Sequence, residues 1–185
     1  MTSRIVFIDS NVAGYQSLIP QLPADSDVVV LDQSKDGILQ ILASLQGKSE
    51  LSAIDILSHG KPGALLLGSI ELNKVNLTDY AEQLTEIGAH LSDSGDILLY
   101  GCEVAQGKIG QAFIDQLAQL TGANVAASVN LTGAAELGGD WVLEAQTGMV
   151  QASTLQLSYH GVLAILTGTS GNDVLAGTAG DDTFT

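Results

Sequence analysis

The sequence has a single cysteine, Cys102, so it can form no intramolecular disulfide, and the cysteine count does not indicate a redox compartment. Aromatic residues make up only 4% of the chain, whereas hydrophobic residues make up 45%. A chain of 185 residues with this content predicts a packed globular domain rather than a disordered one. Its core must therefore be built mainly from Leu, Ile, Val and Ala.

Basic residues are also scarce, because only 6 Lys and Arg stand against 21 Asp and Glu, and the net charge is −15. A phosphate backbone or an anionic membrane surface would repel such a protein, so we expect no nucleic-acid partner. A cation-rich exterior would screen or bind these carboxylates. Solubility alone is the alternative explanation of the same charge.

Long hydrophobic runs are absent as well. No apolar run approaches 18 residues, so we expect no transmembrane segment. Residues 5–8 near the N-terminus predict a strand rather than part of a signal peptide. If the protein is exported, we therefore expect a route other than a cleaved N-terminal signal. One cysteine and three scattered histidines also give no zinc-ligand spacing.

Short apolar runs alternate with helical patterns from residue 4 to about residue 130. The runs predict strands covered on both faces, at residues 5–8, 28–31, 54–57, 97–100 and 125–129. Apolar residues recur at helical spacing between them, at 36–45, 78–91 and 109–120. Thr78 is a predicted helix N-cap, and Gly122 is predicted to end the last helix. This alternation favours an α/β fold with a mostly parallel sheet and right-handed crossovers.

Three segments depart from the alternating pattern. Residues 64–72 predict a β-hairpin that turns near Gly68 and Ser69. Residues 141–145 predict a late strand that follows a glycine-rich turn. We assign residues 1–150 to one α/β domain and residues 151–167 to a terminal strand and connector.

The chain ends in two nine-residue units, GTSGNDVLA at 168–176 and GTAGDDTFT at 177–185. Both units have Gly at positions 1 and 4, Asp at 6 and a large apolar residue at 8. This is the pattern of calcium-binding β-roll (RTX-type) repeats, with Thr in place of the second Gly. The candidate calcium ligands are Asn172, Asp173, Asp181 and Asp182. A flexible linker is the alternative; two repeats cannot bury their apolar faces alone, so we favour a truncated array.

A histidine and the only cysteine follow two of the predicted strands. His59 comes just after the strand at 54–57, and Cys102 just after the strand at 97–100. Because the carboxyl ends of neighbouring parallel strands meet at one edge of a sheet, we expect these side chains to share one crevice. An imidazole beside a thiol can lower the pKa of the thiol and produce a nucleophilic thiolate.

Glycines adjoin both of these residues. Gly60 and Gly101 would let a substrate backbone approach and could present N–H groups to an oxyanion. Each residue of the pair also has a structural interpretation, with Cys102 as a small buried apolar residue and His59 as a turn residue hydrogen-bonded locally.

An apolar strand followed by His-Gly, and then an apolar strand ending in Cys, resembles the caspase/gingipain/legumain group of cysteine peptidases. The resemblance covers roughly residues 4–150. The chain is more closely similar to the uncharacterised caspase-like domain near the N-terminus of very large bacterial secreted and adhesin-type proteins. It implies a three-layer α-β-α sandwich, with Cys102 as nucleophile and His59 as general acid/base. It further implies an oxyanion hole formed by the backbone N–H groups of Gly60 and Cys102.

The chain also departs from the caspase pattern. Glu103 places a negative charge beside the thiol, which would disfavour the thiolate. By analogy with the family, Asp9 and Ser10 would lie at the pocket for the residue before the scissile bond (P1), where an acid would suit a basic side chain. Asp9 could equally cap the following turn. Glu103 and Ser128 are the other candidate pocket residues.

These observations predict a cysteine endopeptidase or self-processing module, secreted or on the surface of a bacterium. Its substrate would be a protein or peptide, possibly its own polypeptide, and calcium would bind only the repeats. The rival hypothesis is a non-catalytic module of a calcium-dependent adhesin, and a lesser one is a secretion passenger. An enzyme needs an exposed Cys102 with a depressed pKa and His59 within reach of it, whereas a structural module would bury the thiol.

Overall fold

The structure, a computed structural model, describes residues 4–165. Six strands form the main sheet in the order β2-β1-β3-β7-β8-β9. They are β1 (Arg4–Asp9), β2 (Ser26–Leu31), β3 (Leu51–Leu57), β7 (Leu91–Tyr100), β8 (Asn124–Ala127) and β9 (Ala145–Gln146). The first five strands in this order pair in parallel, and β9 is antiparallel to β8. The predicted α/β fold with a mostly parallel sheet is confirmed.

A second, smaller sheet follows β3. It consists of β4 (Gly60–Lys61), β5 (Ala64–Leu67) and β6 (Ile70–Asn73), paired antiparallel in sequence order. Strands β5 and β6 form the predicted hairpin, which turns at Gly68 and Ser69, and Gly68 has a φ of 60°. A side chain at Gly68 would also meet the carbonyl oxygen of Lys35, so the turn requires glycine for two reasons.

The helices are α1 (Gly37–Leu45), α2 (Ala81–Ala89) and α3 (Gly107–Thr121). The α1 helix begins after Asp36, whose carboxylate accepts a hydrogen bond from the Leu39 N–H at 3.1 Å. The α3 helix ends at Gly122 in the left-handed conformation, as predicted. Thr78 is not a helix N-cap, because it lies inside a 3₁₀ turn, Leu77–Tyr80, and α2 starts only at Ala81.

All three α-helices pack on one face of the main sheet. Alternate strand residues point to this face and form one core with the apolar residues of the helices. The buried strand residues in this core include Ile5, Phe7, Ile54, Ile56, Ile97 and Leu99, and the helix residues include Ile38, Ile41, Leu84, Ile87, Phe113 and Leu117. Leu, Ile and Val supply most of the side chains in this layer, as the composition predicts, and Phe7 and Phe113 are its large aromatic members.

The opposite face carries a second core, to which no α-helix of residues 4–165 contributes. Two 3₁₀ turns, Tyr15–Ser17 and Ile19–Gln21, cover part of it, and extended chain between residues 141 and 163 covers the rest. The implied α-β-α layering is therefore present on one face only. The β1–β2 connection, which contains Pro20 and Pro23, forms only these two short 3₁₀ turns.

The late part of the chain is less regular than predicted. Of the strand predicted at 141–145, only Ala145 pairs, within β9 (Ala145–Gln146). Residues 151–165 form no regular strand, although isolated bridges join Val162 to Gly133 and Ala164 to Gly60. The predicted repeats, with Asn172, Asp173, Asp181 and Asp182, lie outside the described residues. Among the described helices, none is long and apolar enough to cross a membrane.

Candidate functional site

Three parallel strands end at the same level of the sheet. Ile8 of β1 pairs with Leu57 of β3, and Leu57 pairs with Tyr100 of β7. The residues that follow these strands therefore emerge side by side at the carboxyl edge of the sheet. His59 and Cys102 both lie at this edge, as predicted from the order of the strands.

Only one of the two imidazole nitrogens of His59 makes a hydrogen bond. Its Nε2 lies 3.2 Å from the carbonyl oxygen of Asn11, to which it donates a hydrogen bond. Its Nδ1 is buried and makes no hydrogen bond. Burial lowers the pKa of His59, while the Asn11 carbonyl, the charge of Asp9 and the nearby backbone of Ala164 oppose this shift. His59 therefore carries an unprotonated Nδ1 at neutral pH, and this nitrogen is free to accept a proton.

The lowered pKa of His59 predicts a specific dependence of stability on pH. The folded protein favours the neutral ring, so this stabilisation is complete above the ordinary pKa of 6.5 and is lost as the pH falls below it. We expect His59→Gln to lose less stability than the parent between pH 7.5 and pH 5, measured by urea unfolding. His160→Gln is the matched control, because His160 is exposed. This control should lose as much stability as the parent between the two pH values. An equal loss in all three proteins would contradict the lowered pKa assigned to His59.

The thiol of Cys102 is fully buried and bonded to the loop after β8. Its Sγ accepts a hydrogen bond from the Thr132 N–H at 3.2 Å and lies 3.6 Å from the Thr132 carbonyl oxygen. Burial raises the pKa of Cys102 to about 11, and the charge of Glu103 adds to this, against hydrogen bonds from the backbone of Thr132 and Leu163. Sγ makes no hydrogen bond to His59, and the raised pKa keeps the thiol protonated at neutral pH in this conformation.

The backbone N–H groups of Gly60 and Cys102 converge on a single atom. Both donate to the carbonyl oxygen of Leu163, each at 2.9 Å. These are the two donors expected to form an oxyanion hole, and a peptide carbonyl of the same chain lies between them. The side chain of Leu163 is completely buried in the second core.

Residues 161–165, here called the inserted segment, are bound on both sides of this carbonyl. Before it, the Leu163 N–H donates to Thr132 O at 2.9 Å and the Ala134 N–H donates to Gly161 O at 2.8 Å. These bonds make the antiparallel bridge between residues 162 and 133. After it, the Ile165 N–H donates to Gly60 O at 3.1 Å. The inserted segment therefore lies across the predicted crevice in an extended conformation.

Close backbone packing holds the two N–H donors in place. A Cβ at Gly60 would lie 2.5 Å from a methyl carbon of Val104 and 2.9 Å from the carbonyl oxygen of Cys102. A Cβ at Gly101 would lie 3.0 Å from the carbonyl oxygen of Ser58. Glycine at both positions lets the loops after β3 and β7 touch, which brings the two donors to one point.

The predicted pocket residues are engaged locally. The buried carboxylate of Asp9 accepts hydrogen bonds from the backbone and side-chain nitrogens of Asn11, both at 2.8 Å, and from the Gly68 N–H. This is the turn-capping role that the sequence left open for Asp9. Ser10 Oγ accepts from the Gln33 N–H at 3.0 Å, and Ser128 Oγ contacts Asn130. Glu103 has a φ of 59° and accepts from the Gln106 amide at 3.0 Å.

Sequence reasoning missed three residues of this site: Asn11, Thr132 and Leu163. Asn11 and Thr132 act through backbone atoms, which no side-chain motif marks. The signal for the inserted segment was the apolar run at 162–166, directly after His160-Gly161 and before the polar repeats. Between residues 4 and 165, no group of three or more His, Cys, Asp or Glu side chains could hold a metal ion.

Comparison with known proteins identifies a family but no activity. A family model described as "Domain of unknown function (DUF4347)" matches residues 5–163. No curated protein matches the chain. A crystal structure described as a small-chain dehydrogenase is similar at 12% identity with a TM-score of 0.34, over 64% of this chain and 77% of that one.

Proposed function

The chain belongs to the family described as a domain of unknown function, DUF4347, and on that premise we propose its activity from the site itself. We propose a caspase-like cysteine endopeptidase, held latent by its own inserted segment, within a large secreted or surface-attached bacterial protein. Cys102 is the nucleophile and His59 the general acid/base. The backbone N–H groups of Gly60 and Cys102 stabilise the oxyanion.

The observation that carries this proposal is the convergence of two N–H groups on the carbonyl oxygen of Leu163, each at 2.9 Å. Donors at about 2.7–3.1 Å from the position of the oxyanion are the geometric requirement for stabilising a tetrahedral intermediate. The two donors come from loops after different strands. They meet only because Gly60 and Gly101 allow the loops to touch.

The reaction follows from the groups at the site. Nδ1 of His59 takes the thiol proton, and Sγ of Cys102 bonds to the carbonyl carbon of the substrate. The bond from that carbon to the amide nitrogen breaks, and His59 gives its proton to the departing amine. Water then hydrolyses the thioester, which releases the acid and regenerates the thiol. Before the first step, Sγ must leave Thr132 and approach His59.

A second candidate function is a non-catalytic structural module with the same fold. The complete burial of Cys102 and its pKa of about 11 favour this alternative. In that case Leu163 closes the domain permanently, and the two N–H groups serve only to bind its carbonyl oxygen.

Calcium binding and secretion belong to the same proposal. The two nonapeptide units at 168–185 and the net charge of −15 support a calcium-dependent role outside the cell. Calcium would bind to the repeats and not to the α/β domain. The substrate would be a protein or peptide, with no nucleic acid involved.

The test uses the full chain carrying Leu163→Asp, which should displace the inserted segment and open the site. We expect this protein to hydrolyse an added peptide with leucine at P1, and adding Cys102→Ala should reduce the rate by about 10³-fold or more. His160→Gln in the same background is the control and should leave the rate unchanged. Hydrolysis that is equally slow with and without Cys102 would establish the structural module instead.

A further inference from the structure

The inserted segment makes backbone hydrogen bonds on both sides of one of its own peptide bonds, as a bound peptide substrate would. Residues 161–163 pair antiparallel with the loop at 132–134, and the Ile165 N–H contacts Gly60 beyond the bond. The carbonyl between these contacts lies between the two oxyanion donors. We propose that the Leu163–Ala164 peptide bond is the first substrate of this site, cleaved within the same molecule. This inference rests on the proposed peptidase function.

In this proposal, His59 is the group that protonates the leaving amine of Ala164. The backbone of Ala164 lies near enough to the imidazole to influence its pKa, and Nδ1 is buried with no hydrogen-bond partner. The amide nitrogen of Ala164 is the atom that must receive a proton when its bond to Leu163 breaks. His59 follows β3 at the same edge of the sheet as Cys102, and in this proposal it passes the thiol proton to that nitrogen.

Burial of Leu163 defines the residue that the site accepts before the scissile bond. Its side chain is 0% exposed and packs in the apolar second core. The carboxylate of Asp9, expected from the resemblance to select a basic residue, already accepts three hydrogen bonds from Asn11 and Gly68. The preference at P1 is therefore for a leucine-like apolar side chain.

The step is balanced with water as the only co-reactant. Sγ of Cys102 bonds to the Leu163 carbonyl carbon, the carbon–nitrogen bond to Ala164 breaks, and the thiol proton moves through His59 to the Ala164 amine. Water hydrolyses the thioester and leaves a carboxylate on Leu163. The products are residues 1–163 and a C-terminal piece that begins at Ala164 and carries the nonapeptide units.

The experiment is intact mass measurement of the freshly purified 185-residue chain over time, with N-terminal sequencing of the products. We expect fragments 1–163 and 164–185, formed by first-order kinetics at a rate independent of protein concentration. In Cys102→Ala and in His59→Gln, cleavage should be slowed about 10²-fold or more. His160→Gln should be cleaved like the parent, because this exposed histidine lies outside the site.

Each outcome separates this inference from the function on which it rests. If the parent stays intact while Leu163→Asp hydrolyses added peptide through Cys102, the self-cleavage is overturned and the peptidase stands. If neither reaction depends on Cys102, both proposals are overturned. Cleavage that needs Cys102 but occurs at another bond overturns the assignment of Leu163–Ala164.

Discussion

Replacing Asp55 with asparagine is expected to lower the free energy of unfolding by about 3–5 kcal/mol, because it breaks a buried ion pair on one side only. The guanidinium of Arg4 donates to both carboxylate oxygens of Asp55, at 2.6 and 2.5 Å. The side chain of Asp55 is 0% exposed and that of Arg4 is 10% exposed. An asparagine has no charge to balance the guanidinium, which would remain buried. Urea unfolding would measure the loss as a lower midpoint concentration with an unchanged m-value.

The control for this prediction is the exposed pair of Lys61 and Glu71, which lie 2.7 Å apart with side chains 40% and 37% exposed. Glu71→Gln should cost less than about 1 kcal/mol, since water and salt screen an exposed pair. Replacing both members of the buried pair, as Arg4→Met with Asp55→Leu, should recover most of the stability. Equal losses for Asp55→Asn and Glu71→Gln would contradict the assigned role of burial.

The second prediction with a large expected effect concerns the accessibility of the Cys102 thiol when Leu163 is replaced. Leu163→Asp should raise the rate of alkylation of Cys102 by iodoacetamide about tenfold or more at pH 7.5. Burying a leucine stabilises the closed state by about 1.5–3 kcal/mol, and 1.4 kcal/mol corresponds to a factor of ten. A charge at this position adds a further penalty for closing. The pKa of the thiol, about 11 when buried, should fall toward the ordinary value of about 8.5.

Leu137→Asp is the matched control, because Leu137 is 50% exposed and its replacement buries no charge. It should alkylate at the rate of the parent, and circular dichroism of both variants would establish that they are folded. An unchanged rate in Leu163→Asp would mean that Thr132 and the second core enclose the thiol without the inserted segment.

Those elements of the fold with a strong local signal could be predicted from the sequence. The apolar strands at 5–8, 54–57 and 97–100 determine a parallel sheet, and the pairing of Leu57 with Tyr100 then brings the following residues together. The approach of His59 and Cys102 to one edge is a consequence of topology. The Gly122 helix end was predicted correctly because a left-handed glycine ends a helix locally, whereas the predicted cap at Thr78 was wrong because a 3₁₀ turn precedes α2.

The cover of the second face could not be predicted in the same way. Residues 141–163 include strand-like alternation at Leu155, Leu157 and Tyr159, but only Ala145–Gln146 joins the main sheet, and contacts with residues distant in sequence hold the rest. The Arg4 guanidinium donates to Ser153 O at 2.8 Å, and the Tyr100 hydroxyl accepts from the Leu155 N–H at 2.7 Å. Asp96 accepts from two further backbone N–H groups, at 2.7 and 2.8 Å. Only the folded sheet brings these polar partners together, so the sequence left the burial of Cys102 as one of two interpretations.

The uneven covering of the sheet also determines the order of events while the chain is being made. Strands β1 to β8 and all three helices precede residue 128, so the first face can close while the ribosome is still translating. The second face must wait until residues 141–163 have emerged, a delay of a few seconds at about 5–20 residues per second. During that delay the nascent chain exposes an apolar surface to chaperones. Cys102 is the thiol on that surface, and its backbone N–H gains its partner only when the Leu163 carbonyl docks.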